Sequence, residues 1–268
     1  MFKNAIKNTI NYIRPIITGK VKYGSTIVHN YISTIIVLNK NGDILTTATN
    51  AELFSISEEI KEIYKPILEE IKNAKEKTRK KIEEKYSIDE NTIIAMHNTI
   101  VDAIKINGKL NSIKHPYLDL AIIKSSNTEN VFVQEFTIFK KKYDVGTSVC
   151  NIGFAFPEFN AFSYDENTFT IQNHNKIMNF PIFPINSMIT RSIADYQNNV
   201  SMFETSTSLV NGQQGGVVVN KNGEILGILI GSRNFKINEH ETMSLAYAIN
   251  SETIIKFLED NNIEINII

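Results

Sequence analysis

Near the C-terminal end of this 268-residue chain, Asn211-Gly212-Gln213-Gln214-Gly215-Gly216-Val217 sets two carboxamides among closely spaced glycines. Glycines at that density suit a tight turn and close backbone approach. The side chains between them offer no nucleophile, because a carboxamide has neither a proton to give up near neutral pH nor an oxygen of useful nucleophilic strength. Ser206 and Ser208 precede the loop, but neither has a base at a predictable distance. Of the five histidines, His115 stands four residues before Asp119, and His97 sits in Ala95-Met96-His97-Asn98. His29, His174 and His240 are isolated and lack metal-ligand spacing with any Cys, Asp or Glu, so no metal and no cofactor is assigned. The single cysteine, Cys150, lies in the apolar run Val149-Cys150-Asn151-Ile152 and reads as a buried small hydrophobe rather than a reactive thiol.

The elements that must position these groups are mostly short strands. Ser33-Thr34-Ile35-Ile36-Val37-Leu38, Asn39-Lys40-Asn41-Gly42 and Asp43-Ile44-Leu45-Thr46 read as a hairpin, since Asn-Gly accepts the positive φ of a tight turn. The device recurs where Gly216-Val217-Val218-Val219 passes through Asn220-Lys221-Asn222-Gly223 into Glu224-Ile225-Leu226-Gly227-Ile228-Leu229-Ile230. Further short strands are predicted over 91–106, 120–124, 131–139, 148–152, 169–172 and 188–193. Between the hairpins, residues 57–86 change period: Ile60, Ile63, Tyr64, Ile67, Leu68, Ile71, Ala74 and Ile82 recur at helical steps. Pro66 predicts a kink or break, with a second helix starting near Lys65. Ser251 to Asp260 predicts a terminal helix with Ser251 as N-cap. Many short strands and few helices favour a closed all-β architecture.

Composition excludes several classes. The chain is 42% hydrophobic and 21% charged, which fits a folded soluble protein, and its formal charge of -1 gives no overall field that would gather nucleic acid or anionic lipid. No stretch approaches the roughly 20 apolar residues of a membrane span, and one cysteine cannot close an intrachain disulfide. The expectation is a cytoplasmic protein that binds neither nucleic acid nor membrane. Lys75, Lys77, Arg79, Lys80 and Lys81 are interleaved with Glu69, Glu70, Glu76, Glu83 and Glu84, the pattern of a solvated helix.

Four blocks, in order, resemble the Deg (HtrA) branch of the trypsin/chymotrypsin-like serine proteases. Leu38 to Thr49 is similar to the family's strand-turn-strand ending in Leu-Thr-Asn-Ala-His, and Tyr117-Leu118-Asp119-Leu120-Ala121-Ile122-Ile123-Lys124 resembles the segment carrying the triad aspartate. Gly146 to Pro157 is near Gly-x-x-Val-x-x-Ile-Gly-x-Pro. Phe203-Glu204-Thr205, the glutamine loop and Tyr247-Ala248-Ile249-Asn250 echo the fourth, in which the loop stands for Gly-Asn-Ser-Gly-Gly-Pro.

The resemblance implies a trypsin-like double β-barrel, residues 1–134 and 135–268, with a helical insertion at 57–86 in the first barrel and a C-terminal helix. It puts Thr49 on the histidine, Asp119 on the aspartate and Gln214 on the serine. Only the carboxylate survives, so proton shuttling and covalent attack are both lost. The former oxyanion loop becomes Gly212, Gln213 and Gln214, Ser206 and Ser208 would line the former specificity pocket, and the Gln214 side chain would reach Asp119 or Thr49 and close the cleft. His97 would lie on a barrel strand and His115 in the turn before the aspartate strand.

The function implied is a non-catalytic pseudoprotease that binds a protein or extended peptide. The peptide would add to the sheet edge at Leu229, Ile230, Gly231, Ser232 and Arg233, with the insertion as a second docking surface. Two other readings stand beside it. One is a serine-protease-like hydrolase with an unconventional active site; the other is a structural scaffold that assembles through the insertion.

Overall fold

The computed structural model describes residues 1–101, 111–124, 137–156, 162–173, 180–194, 199–239 and 241–268. A short helix, α1 (Lys3–Thr9), leads into β1 (Ile13–Lys22), β2 (His29–Val37) and β3 (Ile44–Thr46). Two helices follow, α2 (Ala48–Asn73) and α3 (Glu76–Lys85), and then β4 (Ile93–Ile100), β5 (Asn111–Lys114) and β6 (Ala121–Lys124). The remainder comprises β7 (Ile138–Phe139), β8 (Ser148–Phe154), β9 (Phe162–Asp165), β10 (Thr170–Asn173), β11 (Ile182–Ala194), β12 (Val200–Thr205), β13 (Val217–Val219), β14 (Ile225–Lys236), β15 (Thr242–Asn250), α4 (Ser251–Asp260) and β16 (Asn266–Ile267).

The strands form two large sheets. The first runs β4-β1-β2-β3-β6-β5 and is open, with no pairing between β4 and β5 among the described residues. In the second, β13-β8-β11-β12-β15-β14, the last strand pairs back on β13 (Val217 opposite Ile228) and closes a six-stranded barrel; β7 and β16 add parallel pairings beside β14. All strands through Lys124 belong to the first sheet and Ile138 opens the second, so the expected boundary at 134/135 lies outside the described residues. So do His174, His240, residues 102–106 and residues 131–136 of two predicted strands. One core joins the sheets: Ile36, Leu45 and Ile122 meet Ile152, Val217 and Ile228, with Ile254 and Leu258 of α4 on the same cluster.

The first strand, β1, was not predicted, because Pro15 and Gly19 interrupt its apolar pattern. Both fit for local reasons. Thr34, opposite Pro15, sends its N–H away from β1 to Gln214, so the position lacking an N–H faces β4, whose ladder begins only at Ile16. A Cβ on Gly19 would stand 2.8 Å from Phe162 and 2.9 Å from Val28, so the β9–β10 hairpin needs the space.

The helical segment ends where expected, at Lys85 with Tyr86 as C-cap, but departs from expectation at its start and at its internal break. It begins at Ala48, nine residues early, because Thr47 caps it by accepting the Asn50 N–H at 3.1 Å. Pro66 sits inside a continuous helix, and the break falls at Ala74, whose backbone is extended. A proline removes one helical bond; burial of Ile67, Leu68 and Ile71 on either side of the following turn holds the helix through it. The apolar stripe is largely used at home, with Ala51 and Phe54 over Ile16, Ile35 and Ala121, and Ile67 and Ile71 against Ile82 and Ile88. The charged face is solvated as expected, and Arg79 pairs with Glu83 at 2.9 Å. At the other terminal helix the cap is Asn250, not Ser251. Asn250 Oδ1 accepts from Thr253 at 2.8 Å, while the Ser251 hydroxyl donates to the Lys140 carbonyl. Among the described residues no helix is long and apolar enough to cross a membrane.

Candidate functional site: a carboxylate held by a threonine and a glutamine

Thr49, Asp119 and Gln214, distant in sequence, converge. The Thr49 backbone N–H donates to Asp119 Oδ1 at 2.8 Å and its hydroxyl to the same oxygen at 3.1 Å; Gln214 Nε2 donates to Oδ2 at 3.2 Å. The physical origin is the start of α2. With Thr47 as cap, Thr49 is the second residue of the helix, and its N–H is one of those with no partner inside the helix. A carboxylate there is favoured by both the free donor and the helix dipole. Asp119 is thus a long-range cap on α2, delivered by the turn between β5 and β6. Its carboxylate is half-buried, Thr49 is exposed and Gln214 is half-buried.

The glutamine loop is fixed by the first sheet. Thr34, fully buried on β2, donates its N–H to the Gln214 carbonyl at 2.9 Å and its hydroxyl to the Gly212 carbonyl at 3.1 Å, and the same hydroxyl accepts the Phe154 N–H at 2.9 Å. Asn50 Nδ2 reaches the Gln214 carbonyl at 3.4 Å and Thr46 Oγ1 at 3.1 Å. Two glycines bend the loop, Gly212 at φ +104 and Gly215 at φ +83. At Gly215 no other residue fits, since a Cβ would lie 2.0 Å from the Thr34 carbonyl oxygen. Gln213 is wholly buried: its Oε1 accepts the Val210 N–H at 3.2 Å and its Nε2 donates to the Phe183 carbonyl at 2.6 Å. Gln213 therefore braces the loop, and Gln214 alone of the pair faces Asp119. Among the described residues the N–H groups of Gly212 and Gln214 have no protein acceptor.

No histidine joins the carboxylate among the described residues. His115 Nδ1 accepts the N–H groups of Tyr117 at 3.2 Å and Leu118 at 3.1 Å, and burial lowers its basicity. His97 lies on β4 against Phe162, its basicity lowered by burial first, with Glu58 and Lys61 pulling in opposite senses. Ser206 Oγ accepts the Met188 N–H at 3.0 Å, and the Ser208 hydroxyl lies between the Ser244 hydroxyl at 3.0 Å and the Leu209 carbonyl at 3.2 Å, so neither adjoins a base. Cys150 is buried, with its thiol pushed up to about 11 by desolvation. Among the described residues no cluster of His, Cys, Asp and Glu has the makings of a metal site.

The expected peptide-binding edge divides in two. Leu229 has no free side: its N–H donates to the Gly216 carbonyl and its carbonyl accepts from Gly215, both at 2.8 Å, and it is buried. Ile230 is buried too, while Gly231 is half-buried and Ser232 and Arg233 are exposed. Among the described residues, β14 from Gly231 onward has a ladder only with β15. Ala246, opposite Ser232, sends its N–H to Thr207, so the Ser232 N–H and carbonyl point to the unpaired side.

Two participants escaped the sequence reading. Thr34 and Asn50 gave no signal, because a Thr in a β-branched run and an Asn beside a helix start are ordinary there. Away from the site, Glu204 is buried on β12 and bound by Arg191 through Nε at 2.5 Å and Nη2 at 2.9 Å. No protein-family model matches the chain, and no curated protein matches it in sequence.

Proposed function

We propose that this chain is a non-catalytic relative of the trypsin-like serine proteases, a double-barrel protein of the reducing cytosol that binds an extended peptide without cutting it. The observation that carries the reading is the set of groups around Asp119. A carboxylate placed to orient a base is instead occupied by a backbone N–H, a hydroxyl and a carboxamide. None of them takes up a proton near neutral pH, and none is a nucleophile of useful strength. Loss of base and nucleophile together forfeits several powers of ten in rate.

What supports binding is the outward side of β14 beyond Gly231, a row of backbone donors and acceptors that an added strand could pair with. The test is a fluorescent-peptide library screened for saturable binding, followed by Ser232→Pro and Ser232→Ala. Both variants remove the hydroxyl that accepts the Leu209 N–H; only the proline also removes the outward N–H. Binding that survives Ser232→Ala and is lost in Ser232→Pro supports the edge. No saturable peptide, or equal loss in both variants, discards it.

A further inference from the structure

The turn that delivers Asp119 is held by a histidine ring. His115 follows β5, and its Nδ1 accepts two backbone N–H groups, Tyr117 at 3.2 Å and Leu118 at 3.1 Å. The His115 backbone N–H donates to the Leu120 carbonyl at 2.8 Å, closing the turn from the other side. The ring packs edge-on against Phe257 of α4 at 5.2 Å and Tyr117 at 6.4 Å. A nitrogen that accepts from two donors carries no proton, so the turn selects the neutral imidazole with its hydrogen on Nε2. An imidazolium cannot accept at either nitrogen, and it would set a positive charge against two N–H dipoles.

From this geometry we infer that His115 is a proton-operated latch: the neutral ring holds the Pro116–Asp119 turn shut, and protonation frees the turn and with it the Asp119 bridge to Thr49 and Gln214. Release would leave the Gln214 side chain unanchored at the cleft, so acid would open the site proposed above, and the regulatory meaning rests on that reading. The direction of the ring's titration agrees, because burial already disfavours the charged form. The charged groups lining the same groove are Lys114, which pairs with Glu52 at 2.6 Å, Lys141, and Glu252, Lys256, Glu259 and Asp260 of α4. Both signs surround the ring, and burial is the cause of its shift.

The substitution that separates proton from shape is His115→Asn. Its Oδ1 stands on the same Cγ as the imidazole Nδ1, so it can accept the same two N–H groups at any pH. Amide hydrogen exchange of Tyr117 and Leu118, with the His115 ring titration followed by NMR, provides a readout that needs no peptide ligand. In the natural protein, protection of the two amides, corrected for intrinsic exchange, should weaken about tenfold between about pH 7.5 and about pH 5.5, with a midpoint that follows the ring. The His115→Asn variant should stay protected throughout and His115→Ala should be unprotected throughout. Protection that stays flat while the ring titrates overturns the latch, as does an equal acid loss in His115→Asn. Either result leaves the peptide-binding reading standing, and an inert β14 edge leaves the latch standing.

Discussion

Gln214 and Asp119, 95 residues apart, are joined by a single bond from Nε2 to Oδ2 at 3.2 Å, which ties a loop of the closed barrel to a turn of the open sheet. Asp119 also receives two donors from Thr49. The carboxylate is therefore a three-way joint whose loss should be felt at α2 and at the glutamine loop together. Asp119→Ala should cost about 1.5–3 kcal/mol by urea unfolding, as expected for bonds to a charged acceptor, and Gln214→Ala nearer 1 kcal/mol. The double variant should fall short of the sum by at least about 0.5 kcal/mol; strict additivity would mean the contact contributes nothing.

Gly215 and Gly24 both have positive φ, +83 and +74, but their surroundings differ. An added methyl at Gly215 would meet the Thr34 carbonyl oxygen at 2.0 Å, whereas nothing lies within 4 Å at Gly24. Gly24→Ala should cost about 1–2 kcal/mol, the backbone penalty alone. Gly215→Ala should cost well over 3 kcal/mol or prevent folding, since β2 and the glutamine loop must separate. Similar melting temperatures for the two variants would contradict this placement of the loop against Thr34.

The hairpin turns and the glutamine loop were legible because Asn-Gly and clustered glycines fix backbone conformation within a few residues. Convergence of Thr49, Asp119 and Gln214 was legible only through the order of the four blocks; nothing local joins positions 49 and 214. The start of α2 was missed because Ala48 to Ser57 has polar residues at helical steps until Phe54 and Ala51 find the first sheet, so tertiary burial decides it. The break expected at Pro66 is absent for the same reason: a local penalty is outweighed by packing on the following turn.

That packing makes Pro66 a point of expected gain. Substituting Pro66→Ala restores a helical N–H in a helix that already continues through the position. Stability should rise by about 1–3 kcal/mol, read as an upward shift of the urea midpoint at unchanged slope. A loss of stability would indicate that α2 bends at Pro66 in a way the fold requires.

Glu204 is buried while the Arg191 guanidinium that binds it is half-exposed. Removing the arginine leaves a buried carboxylate without its charge partner, so Arg191→Ala should lower the urea midpoint, to an extent tempered by water reaching the exposed side. The Arg191→Ala/Glu204→Gln pair should recover part of that loss. If the single arginine variant unfolds at the same urea concentration as the natural protein, the pair carries no net stability.

Both His97 and His115 have basicities below the ordinary value of 6.5, chiefly through burial. The folded state therefore prefers the neutral rings, and the unfolded chain binds more protons as the pH falls past 6.5. Stability supplied by the neutral rings is present above that value and is lost as the pH drops through the lower folded values. Urea midpoints should decline on acidification from about pH 7.5 to about pH 5.5, and replacing both histidines with asparagine should flatten that part of the profile.

The most direct measurement is turnover of an unfolded protein substrate such as casein, together with labelling by a fluorophosphonate probe, in the natural protein and in Asp119→Ala. With a hydroxyl and a carboxamide where the base and nucleophile would stand, neither signal should exceed that of the variant. Cleavage or labelling that one cleft substitution abolishes would contradict the non-catalytic reading and turn attention to a hydrolase with an unconventional site.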